Sequence, residues 1–385
     1  MKYVIVHGGG PSAVLNASLY GVVKALRQQG NAEAIYGAIG GMQAVRTAHY
    51  VDLLNASEDE LERLLVTPGT ALGTSRYPIE PEDYPQLAEA LHQQGISTVF
   101  LNGGNGTMDT CGKLSHVCQS YGISVIGIPK TMDNDIACVD HTPGFGSAAN
   151  YVAHTVAEIV EDVRSLPIHV CVVEVMGRNA GWLAAASALA KTDTQPGPDL
   201  IYTPERPFDE ETFLADVQRL WQDKKGLVVV VSEGLVNKDG KSIVPPLMTI
   251  GRATYYGDVS AYLVQLIIQR LGIKARNEKP GLAGRCDIHK RSSIDVNEAV
   301  EVGMQAAAAA KAGYTNVMVG IVREEGLDYK VQYPLIPIEQ VMMHERTMPI
   351  HFINEAGNGV TDEFIEWAKP IVQYEAPNFA QLVPR

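Results

Sequence analysis

The chain has 385 residues, 46% of them hydrophobic and 19% charged, with a formal net charge of −13. That apolar content excludes a disordered chain, and the acidic excess argues against nucleic acid as a main partner. No apolar run approaches a membrane span, so no membrane partner is expected either.

The length exceeds one ordinary core, which predicts two domains or one large α/β unit with a deep cleft. In chain order, Tyr3–Val6 reads as a strand ending in Gly8-Gly9-Gly10. Leu15, Leu19, Val22, Val23 and Leu26 then recur at helical spacing, and Gly30 stops the helix. The grammar repeats with the strand Thr98–Leu101, the loop Gly103-Gly104-Asn105-Gly106, and a helix striped by Met108, Cys111, Leu114, Val117 and Cys118. Val125–Ile128, His169–Val175 and Leu227–Val231 are further strands, and Ala148–Val163 is a long helix. Continuous apolar strands alternating with helices indicate a parallel sheet covered on both faces.

The five cysteines form no C-x-x-C pair, which leaves zinc and dithiol chemistry without support. Met1–Val6 lacks the apolar length of a signal peptide, and with the absent membrane span this predicts a cytoplasmic protein.

Three segments carry the chemistry. Gly8–Gly10 and Gly103–Thr107 each join a strand to a helix. Glycine admits close approach of an anion, and free N–H groups at a helix start attract negative charge. Each loop alone reads equally as a tight turn with no ligand. Two of them at the strand ends of one sheet raise the odds of a site. The third segment, Pro129-Lys130-Thr131-Met132-Asp133-Asn134-Asp135, places two carboxylates, a lysine and a hydroxyl after a strand. It reads either as a polar Asx-type turn or as parts for phosphoryl transfer. On the second reading Asp133 takes a proton, Lys130 offsets phosphate charge, and Asp135 lies near a magnesium ion.

With these residues in view, the chain resembles the phosphofructokinases over nearly its whole length. The resemblance rests on GGGPSAVLN from Gly8, Gly73-Thr74-Ser75-Arg76, GGNGT from Gly103, PKTMDND from Pro129, Met176-Gly177-Arg178, Ser232-Glu233-Gly234, and Arg285. TPGFGS from Thr142 and MGRNAGW from Met176 are similar to the branch that contains pyrophosphate-dependent members. The resemblance implies two similar Rossmann-like three-layer domains with parallel-rich sheets and an active-site cleft between them. The expected division is 1–143 plus about 286–385 for the phosphoryl donor, and 144–285 for the sugar phosphate. It implies magnesium-dependent transfer to O1 of fructose 6-phosphate, in a homodimer or homotetramer. Asp133 would be the general base, aided by Lys130, Thr131 and Arg178. Gly9, Gly10, Arg76, Gly104, Asn105, Gly106 and Thr107 would follow the donor phosphates, with Asn105 and Asp135 near the magnesium. Thr131, Asp133, Met176, Gly177, Arg178, Glu233, Arg276, Arg285 and His169 would hold the sugar phosphate.

The sequence departs from the family pattern at three places. Asn105 replaces a usual aspartate, His169 an arginine that reaches the sugar phosphate, and Leu282 a polar residue beside the sugar. These changes admit another ketose phosphate, such as sedoheptulose 7-phosphate, or a non-catalytic sugar-phosphate sensor. His169 also reads as a satisfied histidine at a strand start. Two positions bear on the donor. In the family this chain resembles, pyrophosphate users typically carry an aspartate at the place of Gly106, where glycine leaves room for a nucleotide. They also carry a lysine at the place of Lys130. Steric room is the harder constraint, so ATP is expected ahead of pyrophosphate. Two other classes fit less well. NAD and lipid kinases share a loop like Gly103–Thr107 but not the later segments. A dinucleotide oxidoreductase needs an acidic residue closing the second strand, and Glu33 precedes that strand instead.

Overall fold

The computed structural model describes residues 1–75, 78–250, 253–326 and 328–380. Its elements run β1 (Lys2–His7), α1 (Leu15–Gln29), β2 (Ala34–Ala38), α2 (Gln43–Thr47), β3 (Tyr50–Asp52), α3 (Glu58–Leu64), α4 (Asp83–Gln93), β4 (Thr98–Gly103), α5 (Asn105–Cys118) and β5 (Ser124–Pro129). The long helix α6 (Phe145–Ser165) leads to β6 (Val170–Val175), α7 (Trp182–Ala186), β7 (Leu200–Tyr202), α8 (Glu210–Asp223) and β8 (Leu227–Ser232). A hairpin of β9 (Pro246–Ile250) and β10 (Ala253–Tyr256) precedes α9 (Val259–Leu266), β11 (Ala275–Glu278) and α10 (Gly281–Cys286). The chain finishes with α11 (Ser293–Lys311), β12 (Val317–Val319), β13 (Val322–Arg323), β14 (Val331–Gln332), β15 (Leu335–Pro337) and α12 (Asp362–Val372).

Two compact units divide the chain: Met1–Ser147 with Arg285–Arg346, and Ala148–Gly284 with Thr347–Arg385. The first holds a seven-stranded sheet of order β15-β12-β5-β4-β1-β2-β3, parallel from β12 to β2 and antiparallel only at its two edges. Alternate residues of β1 point to opposite faces, and both faces are covered. Tyr3 and Ile5 pack with Leu19, Val22 and Leu26 of α1 and Val302 and Ala306 of α11. Val4 and Val6 pack with Leu87 and Leu91 of α4 and Met108, Cys111 and Leu114 of α5. Helices α1 and α11 meet closely because two glycines face backbone. A Cβ on Gly21 would lie 2.0 Å from the Val300 carbonyl oxygen, and one on Gly303 would lie 2.2 Å from that of Ser18.

The second unit holds the parallel sheet β11-β6-β8-β7. One face buries Val170, Val172, Val229 and Val231 against Phe213, Leu214 and Val217 of α8 and Leu263 of α9. The expected α/β class with parallel-rich sheets is therefore what the chain adopts. The division differs from the expected one after Thr347, where the chain groups with the second unit. The reason is aromatic packing: Trp182 lies 4.7 Å from Trp367 and 6.0 Å from Phe352, centroid to centroid. Among the described residues no helix is long and apolar enough to cross a membrane.

Candidate active site

In the first unit, the neighbouring parallel strands β1, β4 and β5 end side by side. Their C-terminal ends bring together Gly8–Gly10, Gly103–Thr107 and Lys130–Asp135, so all three sequence segments share one edge of the sheet. The backbone interlocks there. Gly8 N donates to the Asn102 carbonyl at 2.9 Å, and Lys130 N donates to the Gly103 carbonyl at 2.9 Å. Glycine is needed at both loop starts, because a Cβ on Gly8 or Gly103 would come within 2.3 or 2.1 Å of Thr107 Oγ1. Gly9 adopts φ 74°, a left-handed conformation suited to glycine. Thr74 Oγ1 donates to its carbonyl at 2.8 Å.

The Lys130 side chain is buried and donates to the Gly10 carbonyl. Its Nζ lies 4.0 Å from where a Gly9 Cβ would stand, which puts an ammonium inside the first glycine loop. Gly104 precedes α5 without any side-chain cap, leaving the N-terminal end of a 14-residue helix facing the same loop. Among the described residues nothing lies within 4 Å of a Cβ built on Gly106, so among them that position opens onto free space. Arg76 lies outside the described residues.

The 131–135 loop is tied down from several sides. Asp133 N donates to Thr131 Oγ1 at 3.1 Å. Thr131 N donates to the Pro143 carbonyl at 3.1 Å, and Arg346 N donates to the Asp135 carbonyl at 2.8 Å. Asn134 takes φ 54°, and its Oδ1 accepts from Thr142 N at 3.0 Å. Burial raises the Asp135 carboxyl above its usual range and nearby Glu345 adds to this, while Asn105 and Lys130 act in the opposite direction.

The residues present fit a magnesium ion. Asn105 Nδ2 donates to the Asp135 carbonyl at 3.2 Å, and Asn105 Oδ1 is buried with no hydrogen-bond partner among the described residues. An amide oxygen held that way beside a carboxylate is an oxygen set a hard cation accepts. Among the described residues no group of three or more His, Cys, Asp or Glu could hold a metal by itself. Phosphate and water oxygens would complete such a site.

In the second unit, Met176-Gly177-Arg178 follows β6 and Glu233 follows its parallel neighbour β8. Gly177 N donates to Glu233 Oε1 at 3.4 Å, and Ser232 Oγ donates to the Gly177 carbonyl. A Cβ on Gly234 would lie 1.6 Å from the Arg178 carbonyl oxygen, so glycine there lets the two loops touch. A cavity of about 200 Å³ opens at this point, lined by Arg178 and Glu233 and also by Glu174, Asp258 and Lys279. Lys279 pairs with Glu174 at 2.8 Å and with Asp258 at 2.6 Å.

The remaining expected residues divide between elements. Arg276 stands exposed on β11, paired with Glu278 at 3.4 Å. His169 directly precedes β6, the neighbour of β11; it is buried, and its Nε2 has no hydrogen-bond partner among the described residues. Burial, with the positive charges of Arg276 and Lys274, lowers its pKa below the ordinary histidine value and favours the neutral imidazole. Arg285 lies in α10 and belongs to the first unit. Leu282 is exposed on the same short helix.

Sequence reasoning missed His7, Lys279 and the acid pair of α11, Asp295 and Glu298. His7, the last residue of β1, is fully buried with Nδ1 at 2.7 Å from Thr70 Oγ1. Burial and then Lys130 lower its pKa to about 3, so the imidazole beneath the glycine loop is neutral. Its place directly before the glycines was a usable signal. Lys279, three residues past Arg276, was another. The α11 acids carry no local signal, since their partners lie some 150 residues away in the chain.

Glycine loops at parallel strand ends, a buried lysine among them, and a carboxylate loop alongside are the parts that an anion-handling α/β enzyme site uses. The chain belongs to the phosphofructokinase family, whose model, described as Phosphofructokinase, matches residues 2–310, and it is therefore a phosphotransferase with an alcohol acceptor. It is 37% identical to the pyrophosphate–fructose 6-phosphate 1-phosphotransferase of Rhodospirillum rubrum, covering 99% of this chain and 96% of that protein. It is 34% identical to the sulfofructose kinase of Alkalicoccus urumqiensis, covering 97% of this chain and 96% of that protein. Its fold matches the crystal structure of a pyrophosphate-dependent phosphofructokinase from Nitrosospira multiformis with a TM-score of 0.88 and 34% identity, over 100% of this chain and 95% of that one.

Proposed function

We propose that this phosphotransferase moves a phosphoryl group from pyrophosphate to the C1 hydroxyl of fructose 6-phosphate, giving fructose 1,6-bisphosphate and orthophosphate. The observation that carries the donor assignment is Lys130, whose ammonium is buried in the glycine cradle beside Gly9 and Gly10. A fixed cation at that depth suits a short polyanion with no nucleotide to anchor it. The names of the relatives point the same way, and this reading replaces the steric expectation of ATP.

In this reading Asp133 accepts the proton of the attacking hydroxyl, and Thr131 orders the loop by accepting the Asp133 N–H. Gly9, Gly10, Gly104, Gly106 and Thr107 offer backbone and hydroxyl donors to the phosphates. Asn105 and Asp135 would hold magnesium, which neutralises donor charge when bound. Met176, Gly177, Arg178 and Glu233 hold the sugar, and Arg276, Arg285 and His169 face its C6 anion. Assembly as at least a dimer follows from the same resemblance. The C6 group is the least constrained part. A neutral His169 supplies no charge there, and one relative is a sulfofructose kinase.

A second reading, ATP as donor, is favoured by the open space at Gly106. Initial rates with magnesium and either pyrophosphate or ATP, each against fructose 6-phosphate and 6-deoxy-6-sulfofructose, test both readings. The account expects turnover with pyrophosphate and fructose 6-phosphate. Turnover with ATP alone would overturn the donor assignment, and turnover with the sulfonate alone would overturn the acceptor. Gly106→Asp separates the donors further. The free space accepts the side chain, and an acid near the start of α5 suits the helix dipole. Its carboxylate would repel a nucleotide's α-phosphate, so the variant is expected to keep pyrophosphate turnover and lose any ATP turnover.

A further inference from the structure

We propose that Asp295 is a positioning residue for phosphoryl transfer: it fixes the 142–147 turn, and that turn holds the Thr131–Asp135 loop in its reactive shape. The inference rests on the proposed function of that loop, but its structural half can be tested without any substrate.

Asp295 lies in the first turn of α11 and is fully buried. Its Oδ1 accepts from Gly144 N at 2.8 Å, and its Oδ2 accepts from Ser147 N at 2.9 Å and Ser147 Oγ at 2.5 Å. The carboxylate thus caps the start of α6 from another helix, meeting both its free N–H groups and its positive end. Three residues on, Glu298 accepts from His141 Nε2 at 2.6 Å, so one face of α11 grips both ends of the 141–147 segment.

The segment is in turn bonded to the reaction loop. Thr142 Oγ1 donates to the Thr131 carbonyl at 2.7 Å, and Thr142 N donates to Asn134 Oδ1 at 3.0 Å. Thr131 N donates to the Pro143 carbonyl at 3.1 Å, and Thr131 and Gly144 form a parallel bridge. Gly144 takes φ 111°, and a Cβ there would press on the Thr131 carbonyl carbon at 3.3 Å. Gly144 is therefore held on one side by Asp295 and lies against the loop on the other. A fully buried carboxylate is a poor way to add stability alone, because desolvation opposes its hydrogen bonds. Its arrangement suits geometric control of the loop that carries Asp133.

The test compares Asp295→Asn, Thr142→Val and Thr142→Ser in the full chain. A loop displaced by about 1 Å lowers kcat roughly 10²-fold, so Asp295→Asn and Thr142→Val should show that loss with KM little changed. Thr142→Ser keeps the hydroxyl and should restore most of the rate. Amide exchange at Thr131, Asp133 and Asn134 should quicken in the first two variants while core strands β1 and β4 stay protected. Unchanged kcat per folded molecule alongside a lowered Tm would overturn the proposal, as would unchanged exchange in the loop. If Asp295→Asn does not fold, Thr142→Val against Thr142→Ser carries the same outcomes. If the wild type turns over no substrate, the proposed function fails and loop exchange alone decides this inference.

Discussion

Asp133→Asn is expected to lower kcat roughly 10²- to 10⁴-fold, the range for loss of a general base. An amide cannot accept the hydroxyl proton. It nearly matches the carboxylate in size, and the Asp133 N–H bond to Thr131 Oγ1 at 3.1 Å comes from the backbone, so the substitution leaves that bond in place. The loop's other ties run through Thr131, Asn134 and Asp135 and stay in place. Steady-state rates with a thermal melt check this, and the melt should be close to that of the wild type. Retained turnover within about tenfold would place the base elsewhere. Sugar-phosphate binding by a wild type that turns nothing over would instead support a sensor.

His141→Gln is expected to destabilise the fold by roughly 3–5 kcal/mol, the range for breaking a buried ion pair from one side. The imidazole is buried between Asp140, at 2.7 Å from Nδ1, and Glu298, at 2.6 Å from Nε2. Tyr329 donates to the other Glu298 oxygen at 2.6 Å and Arg323 lies 3.2 Å from Asp140, so neither acid faces the histidine alone. Burial by itself would lower the histidine pKa, but hydrogen bonds from the ring to Asp140 and Glu298, with their charges, outweigh it and raise the value to about 9. The sign follows from linkage. The folded pKa lies above the unfolded value of 6.5, so the stabilisation is complete below pH 6.5 and is lost as pH rises towards about 9. Across that window each pH unit removes at most about 1.4 kcal/mol. Thermal melts from pH 6 to 9 should fall for the wild type and be flatter for the variant. A wild-type profile that rises over this range would refute the charged assignment.

The segments legible in the sequence were those in which local chemistry and local structure coincide. Gly8–Gly10 and Gly103–Gly106 follow apolar runs, and those runs proved to be β1 and β4, adjacent and parallel. Gly30 stopped α1 as expected, with φ 69°. Strands β12 and β15 were not legible, since three residues carry no period and their place beside β5 is set by distant pairing. The polar groups around the Thr131–Asp135 loop were hidden for a related reason. Asp295 and Glu298 read as an ordinary charged helix face, and only the fold brings them to Gly144, Ser147 and His141. The sequence singled out Arg276 and Arg285 for one anion, yet Arg276 is on β11 in the second unit and Arg285 is in the first. The donor was read from room at Gly106. That room is present among the described residues, while the proposed pyrophosphate reading rests on Lys130, buried against Gly10.

The most direct test of the pyrophosphate assignment runs the reaction backwards. Fructose 1,6-bisphosphate, orthophosphate and magnesium are incubated with the purified protein and followed by phosphorus NMR. A site that uses pyrophosphate must by microscopic reversibility also form it, so a pyrophosphate resonance should grow as the C1 phosphate signal falls. An unchanged spectrum, from a preparation that converts ATP and fructose 6-phosphate to products, would contradict the account.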